Sequence, residues 1–215
     1  MEKVAVIGKS AGGGILIEIT PEEGQPIREY YRGVRCGLSW PTPVSPGYYC
    51  LVGQISTSNS MGKYPLRVLR EGEDQILGPL LQKMGDDLGI FSGREVYSDL
   101  SERFRSYVTA FAIYLRTERG GQSIRLKAAP FYQSFTHGVS LIKEWMKDEG
   151  LAIPKDTTVH TQLREIKTED LKGNPEDVFY AINGLRYVIG AFETSLASPG
   201  IRRPVPTEVL PGAWT

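Results

Sequence analysis

The chain has 215 residues, 40% of them hydrophobic and 23% charged, which fits one globular domain with extensions. Lys plus Arg and Asp plus Glu stand at 25 each, so no bulk charge draws the chain to nucleic acid or to a membrane surface, although a local basic face stays open. Cys36 and Cys50 are the only cysteines, too few for a disulfide framework or a cysteine metal site, and no apolar run nears the ~20 residues of a membrane span. With no basic-then-apolar leader at the start, a reducing cytoplasm is the expected setting.

The first element poses a question. "KVAVIGKSAGGGILIEI" holds Gly8-Lys9-Ser10 after an apolar run, as a phosphate-binding loop does. That loop needs a glycine five positions before the second one, where this chain has Lys3, and it must open into a helix whose N–H groups hold the phosphate. Here Gly12-Gly13-Gly14 follow, then a β-branched run. Glycines weaken a helix start and β-branched residues favour sheets. Residues 3–8 and 15–20 are therefore expected to form a hairpin with a glycine-rich turn and no nucleotide site.

Residues 21–46 carry several prolines and glycines and read as a loop, interrupted by a short strand at 27–32. Residues 47–55 are a strong strand, and 65–70 pair with it as a second hairpin across the polar turn 56–62. Helical spacing then begins. Ile76, Leu77, Leu80, Leu81, Met84 and Leu88 share a face, with Gly89 as the expected stop. Residues 95–99 form a short strand ending on Asp99. Ser101 is the expected N-cap of a helix whose face is Phe104, Tyr107, Val108, Phe111, Tyr114 and Leu115, closed by Gly120-Gly121.

A strand at 123–128 and a helix at 133–149 follow. Phe135, Val139, Ile142, Trp145 and Met146 share the face of that helix. Residues 151–153 are a minimal strand, and 159–169 a short helix or an irregular segment. The last helix is the best marked: Asn174 as N-cap, Pro175 at the first position, Glu176 and Asp177 in the first turn, then the stripe Val178, Ile182, Leu185, Val188, Ile189, Phe192. Ser198-Pro199-Gly200 stops it, and the proline-bearing tail reads as extended.

Antiparallel hairpins feeding into strand–helix–strand crossovers imply an α/β fold, a mixed sheet with helices on both faces in the ribonuclease-H-like order. The expected division is 1–46 as an N-terminal hairpin and loop, an extension that could also join the sheet; 47–197 as the ribonuclease-H-like domain; and 198–215 as the tail.

Residues 90–195 carry a resemblance. A strand ends on Val96-Tyr97-Ser98-Asp99; Lys127 follows a strand; Gly138-Val139 lie in a helix. Then come the apolar residues 151–154, Leu163 with Glu165, Glu176-Asp177, and Leu185-Arg186-Tyr187. In this order they resemble the nuclease domain of viral terminase large subunits. The resemblance implies a ribonuclease-H-like fold, a phage or prophage DNA-packaging setting in the host cytoplasm, and DNA as a partner. It also implies another phage protein or a separate packaging ATPase, since this chain shows no ATPase motif of its own. It further implies catalysis by about two Mg²⁺ or Mn²⁺ ions on carboxylates from the first strand, a later parallel strand and the final helix.

The chain meets that demand poorly. Lys9 and Ser10 end one candidate first strand and Gln54 the other, leaving Glu18 as an acid that a shifted alignment would supply. Asn183-Gly184 stand where the family has Asp-Ala. Asp99 is in register, and Asp177 lies about one and a half turns before Asn183. A degenerate, non-cleaving domain is the leading expectation; an active metal-dependent endonuclease using Asp99 and Asp177, and a structural phage protein, are the alternatives.

Each residue also has a plainer role. Asp99 suits a helix cap as well as a metal, and Asp177 suits the helix dipole. Asn183 is equally an ordinary helix-flank residue. Lys127 is either a phosphate contact or a solvated strand-end lysine. Trp40, Tyr48 and Tyr49 suit a base-stacking platform or, more simply, a sheet core. His137 and His160 lack zinc-ligand spacing, and no nucleophile-elbow sequence accompanies them.

Overall fold

The longest strand of the protein lies in the segment that reads as a loop. The computed structural model describes residues 3–10, 14–57, 64–119, 123–130, 134–147, 149–171 and 175–196. Its first elements are β1 (Lys3–Lys9), β2 (Ile15–Thr20), β3 (Ile27–Ser39), β4 (Gly47–Ile55) and β5 (Leu66–Asp74). The expected strand at 27–32 thus runs on for seven more residues. Charge hid it: Arg28, Glu29, Arg32 and Arg35 interrupt the apolar alternation. Tertiary partners answer several of these charges, with Arg28 on Glu18, Glu29 with Arg67, and Arg35 on Glu95.

β3 organises the sheet. It pairs antiparallel with β4, and β4 pairs antiparallel with β5. On its other side the first half of β3 takes β2, while Arg35–Leu38 take β6 (Glu95–Ser98) in parallel. β7 (Arg125–Ala128) adds parallel to β6, and β8 (Leu151–Ala152) adds parallel to β5. A three-stranded antiparallel meander, β3–β4–β5, with two parallel strands beside its first member is the ribonuclease-H-like order. The β1–β2 hairpin joins this same sheet alongside the first half of β3. Ala11, Gly12 and Gly13 of its turn fall outside the described residues.

Among the described residues, six α-helices flank the sheet: α1 (Leu77–Ile90), α2 (Arg105–Thr117), α3 (Phe135–Lys147), α4 (Thr158–Glu165), α5 (Pro175–Val178) and α6 (Tyr180–Leu196). Strand alternation sends Ile15, Ile17, Tyr31, Cys36, Leu38, Trp40 and Tyr49 to one face, against α1 and α2. It sends Tyr48, Cys50, Val52, Leu66 and Val68 to the other, against α3, α4 and α6. Burial of these large apolar side chains, at ~25 cal/mol per Å² removed from water, drives the fold. Trp40, Tyr48 and Tyr49 are core residues rather than an exposed stacking platform.

Three element ends differ from expectation. Gly89 lies inside α1, which continues to Ile90, and the left-handed residue after the helix is Ser92, at φ 56°. Ser101 starts a single 3₁₀ turn, and its side chain makes no cap bond; instead Asp99 Oδ1 accepts the Ser101 N–H at 2.7 Å. The last helix is broken at Phe179 into α5 and α6, which leaves Val178 63% exposed and out of the apolar stripe. The caps expected at Asn174 and Gly120-Gly121, and the tail from 198, fall outside the described residues. No described helix is long and apolar enough to cross a membrane.

Candidate functional site

α6 reaches the sheet through glycine. A methyl group on Gly37 would lie 1.8 Å from the Gly184 carbonyl oxygen, and one on Gly184 would lie 2.7 Å from the Tyr48 ring. Only glycine at both positions lets the helix backbone rest on β3 and β4. That approach brings the first turn of α6 to the end of β3. One step beyond the last paired residues of β3 and β6, Leu38 and Ser98, stand Ser39 and Asp99. Trp40 pins the two strand ends together, its Nε1 donating to the Asp99 carbonyl at 2.7 Å while its ring stacks on Tyr107.

Ser39, Asn183, Glu176, Asp177, Arg103 and Tyr187 line a small cavity at this end of the sheet. Ser39, Asp99 and Asn183 are 6%, 7% and 4% exposed. Asn183 donates from Nδ2 to the Glu176 carbonyl at 3.0 Å and accepts at Oδ1 from Arg186 Nε at 2.7 Å. Arg186 Nη2 donates to Glu176 Oε1 at 2.7 Å, and Arg103 Nη2 to Asp177 Oδ1 at 3.1 Å. Burial pushes the Glu176 carboxyl above its ordinary value. Arg186 and Arg103 work against that rise, and the charges of Asp99 and Asp177 add to it. Glu176 is thus within electrostatic reach of both Asp99 and Asp177.

The site residues expected from sequence divide accordingly. Asp99, Asp177 and Asn183 come to one end of the sheet. Lys127 sits opposite Tyr97 in the β6–β7 register, and its ammonium pairs with Glu95. Glu95 is four residues, roughly 13 Å, back along β6 from Asp99. Burial raises the Glu95 carboxyl, but the bonds from Lys127 and Tyr97 outweigh it and hold the group below its ordinary value, while Lys127 is raised by that same bond.

The candidate first strands lie away from this end of the sheet. Lys9 ends the edge strand β1 and Ser10 follows it, and Glu18 of β2 pairs with Arg28 of β3. Gln54 lies opposite Gly33, six residues along β3 from Ser39. The central strand is β3, and its end, beside the end of β6 that carries Asp99, holds Ser39. Val34, Cys36 and Leu38 alternate toward Trp40, a period-two signal that the flanking glycines and arginines masked.

No protein-family model matches the chain, and no curated protein matches its sequence. Solved structures do. The nuclease domain of the large terminase of bacteriophage SPP1, solved with bound Mn, superposes with a TM-score of 0.48 at 16% identity, over 77% of this chain and 88% of that one. The large terminase nuclease of thermophilic phage G20c gives 0.48 at 12% identity, over 85% and 90%. The Holliday junction resolvase of fowlpox virus gives 0.41 at 8% identity, over 76% and 99%. The chain resembles phage terminase nuclease domains.

The donors at the cleft do not suit the ion pair that the sequence resemblance over residues 90–195 implies. Glu176 Oε1 and Asn183 Oδ1 are bonded to the Arg186 guanidinium, Asp177 Oδ1 to Arg103, and Asp99 Oδ1 to a backbone N–H. Among the described residues, no three His, Cys, Asp or Glu side chains converge to hold an ion. The cavity measures about 10 Å³, the room of a single water, whereas paired catalytic ions stand ~3.5–4 Å apart. The arrangement suits a closed polar network that ties α5, α6 and the ends of β3 and β6 together.

Proposed function

We propose that this chain is a terminase-nuclease-like domain that engages DNA without cutting it, in the packaging or assembly of a phage or prophage in the host cytoplasm. The observation that carries the reading is the set of side chains at the ends of β3, β6 and α6: serine, aspartate and asparagine, Ser39, Asp99 and Asn183. Two-metal hydrolysis needs anions at these places to hold the ions and to activate water. A hydroxyl and an amide keep the shape and supply neutral oxygens. The remaining acids, Glu176 and Asp177, are neutralised by arginines. The packaging setting, and a separate ATPase or phage protein as partner, rest on the sequence resemblance over residues 90–195.

A second reading, an active Mg²⁺- or Mn²⁺-dependent endonuclease, draws on the reach of Glu176 to both Asp99 and Asp177. Incubation with plasmid DNA and Mn²⁺, with Asp99→Ala alongside and a mobility-shift assay in parallel, separates the readings. The proposal expects intact plasmid and a retained shift in both proteins. Cleavage that vanishes in Asp99→Ala overturns it in favour of the enzyme. Absence of both cleavage and shift overturns it in favour of a structural phage protein.

A further inference from the structure

We infer that Arg186 is a built-in counter-ion beside the cleft: its guanidinium neutralises Glu176, clamps α5 to α6 and, with Ser39 and Asn183 supplying only neutral oxygens, keeps divalent ions out. This deepens the non-cleaving reading of the same site, but it rests on the cleft geometry and not on DNA binding.

Three observations carry it. First, the Arg186 side chain is 1% exposed, a burial that an arginine tolerates only when its charge is matched and its donors are used. Second, its fork spans the two elements that form the cleft wall. Nε donates to Asn183 on α6 and Nη2 to Glu176 on α5, each at 2.7 Å, and Nη2 also lies 3.4 Å from the Tyr187 hydroxyl. Third, the neighbouring helix makes room for it. A methyl group on Gly138 of α3 would fall 2.6 Å from Arg186 Cδ. The Phe135 and Tyr187 rings flank the guanidinium at 5.4 and 4.6 Å, a setting that favours a cation.

The choice of arginine matters. A lysine so buried would tend to shed its proton, and an ion would come and go with its concentration. A guanidinium keeps its charge at any working pH and presents several donors in a fixed fork. The clamp is therefore permanent, and it uses oxygen atoms of Glu176 and Asn183 that an ion would otherwise share. Removing it leaves a carboxylate, an amide oxygen and a guanidinium-sized hole facing one another, with Asp99 and Asp177 nearby. That is a cation site the wild-type chain does not offer.

The test compares wild type with Arg186→Met and Arg186→Gln. Bound Mn²⁺ is read by electron paramagnetic resonance, and thermal unfolding is followed with and without millimolar Mn²⁺. Wild type should leave the free Mn²⁺ signal unchanged and melt at the same temperature with or without the metal. The variants should melt lower, bind about one Mn²⁺ per chain, and recover several degrees of melting temperature with it, as a ligand of the folded state must cause.

Gly138→Ala, which pushes on the arginine stem without deleting it, should give a weaker version of the same response. If neither Arg186 variant folds alone, refolding with Mn²⁺ should restore soluble protein. Variants that are destabilised yet take up no Mn²⁺, or that refold no better with it, overturn the inference. So does a wild-type chain that binds Mn²⁺ as well as they do. None of these readouts involves DNA, so a failed mobility shift leaves the inference standing, and its own failure leaves DNA binding untouched.

Discussion

Replacing Gly37 by alanine probes the contact on which the whole cleft depends. The added Cβ would lie 1.8 Å from the Gly184 carbonyl oxygen and 3.2 Å from Val188 Cβ, where ordinary contact begins near 3.4 Å. The obstructing oxygen is backbone, so no rotamer change relieves it. α6 must retreat by about 1.6 Å or tilt, carrying Asn183, Leu185, Val188 and Ile189 away from the sheet. Overpacking of this kind costs ~1–3 kcal/mol, occasionally more, and a rigid obstruction belongs at the upper end. At ~2–4 °C per kcal/mol for a chain of this size, the melting temperature should fall by roughly 6–12 °C. Gly33→Ala is the control in the same strand, because its Cβ meets nothing within 4 Å, and it should stay within ~0.5 kcal/mol of wild type. Differential scanning calorimetry reads both. A Gly37→Ala protein that melts with its control would refute the close approach of α6 to β3, and with it the placement of Asn183 beside Ser39.

Two further predictions follow from backbone and charge. Gly89 sits exposed within α1 with open space at its Cβ position, while Ser92 carries φ 56°. Gly89→Ala and Ser92→Gly should therefore each stabilise by roughly 0.5–1 kcal/mol, and urea melts that show either as destabilising would contradict the α1 boundary. Burial raises Glu176 in the folded protein above its ordinary 4.5, so the folded state holds that proton more tightly than the unfolded chain does. The stability this group contributes is complete below about pH 4.5 and is lost as pH rises through the raised folded value. The melting temperature of wild type relative to Glu176→Gln should decline over that rise and then level off. Glu95 is lowered instead, so the comparison with Glu95→Gln should run the other way, the wild-type advantage fading as pH falls. Curves of the opposite slope would show that the surroundings of these carboxylates are misread.

Much of the fold was legible because period and punctuation agreed. β2 and β4 alternate or run apolar between turn residues, and α1, α2 and α3 each carry an apolar stripe. The acids of the α5 turn announced the last helical segment. β3 was illegible for a physical reason: its charged residues are answered by partners far along the chain, Arg35 by Glu95 and by the Ala191 carbonyl, and Gly37 is dictated by a helix nearly 150 residues away. Ser39 was missed with it. Asp99 and Asn183 could be singled out because they end recognisable elements of the resemblance. Their shared cleft could not be drawn until the parallel β3–β6 register set Ser39 beside Asp99. Lys127 stood out as a cation after a strand, but only that pairing reveals Glu95 as its partner. The burial of Arg186 depends on the glycine of α3, a contact that neither segment signals alone.

A non-cleaving domain requires that the cleft lined by Ser39, Glu176, Asp177 and Asn183 accept no catalytic ion pair. A crystal soaked in manganese chloride, with an anomalous difference map calculated near the manganese edge, addresses it directly. No peak in the cleft and an ordered Arg186 bonded to Glu176 and Asn183 are expected. Two well-occupied peaks between the ends of β3, β6 and α6, with Arg186 swung aside, would contradict it.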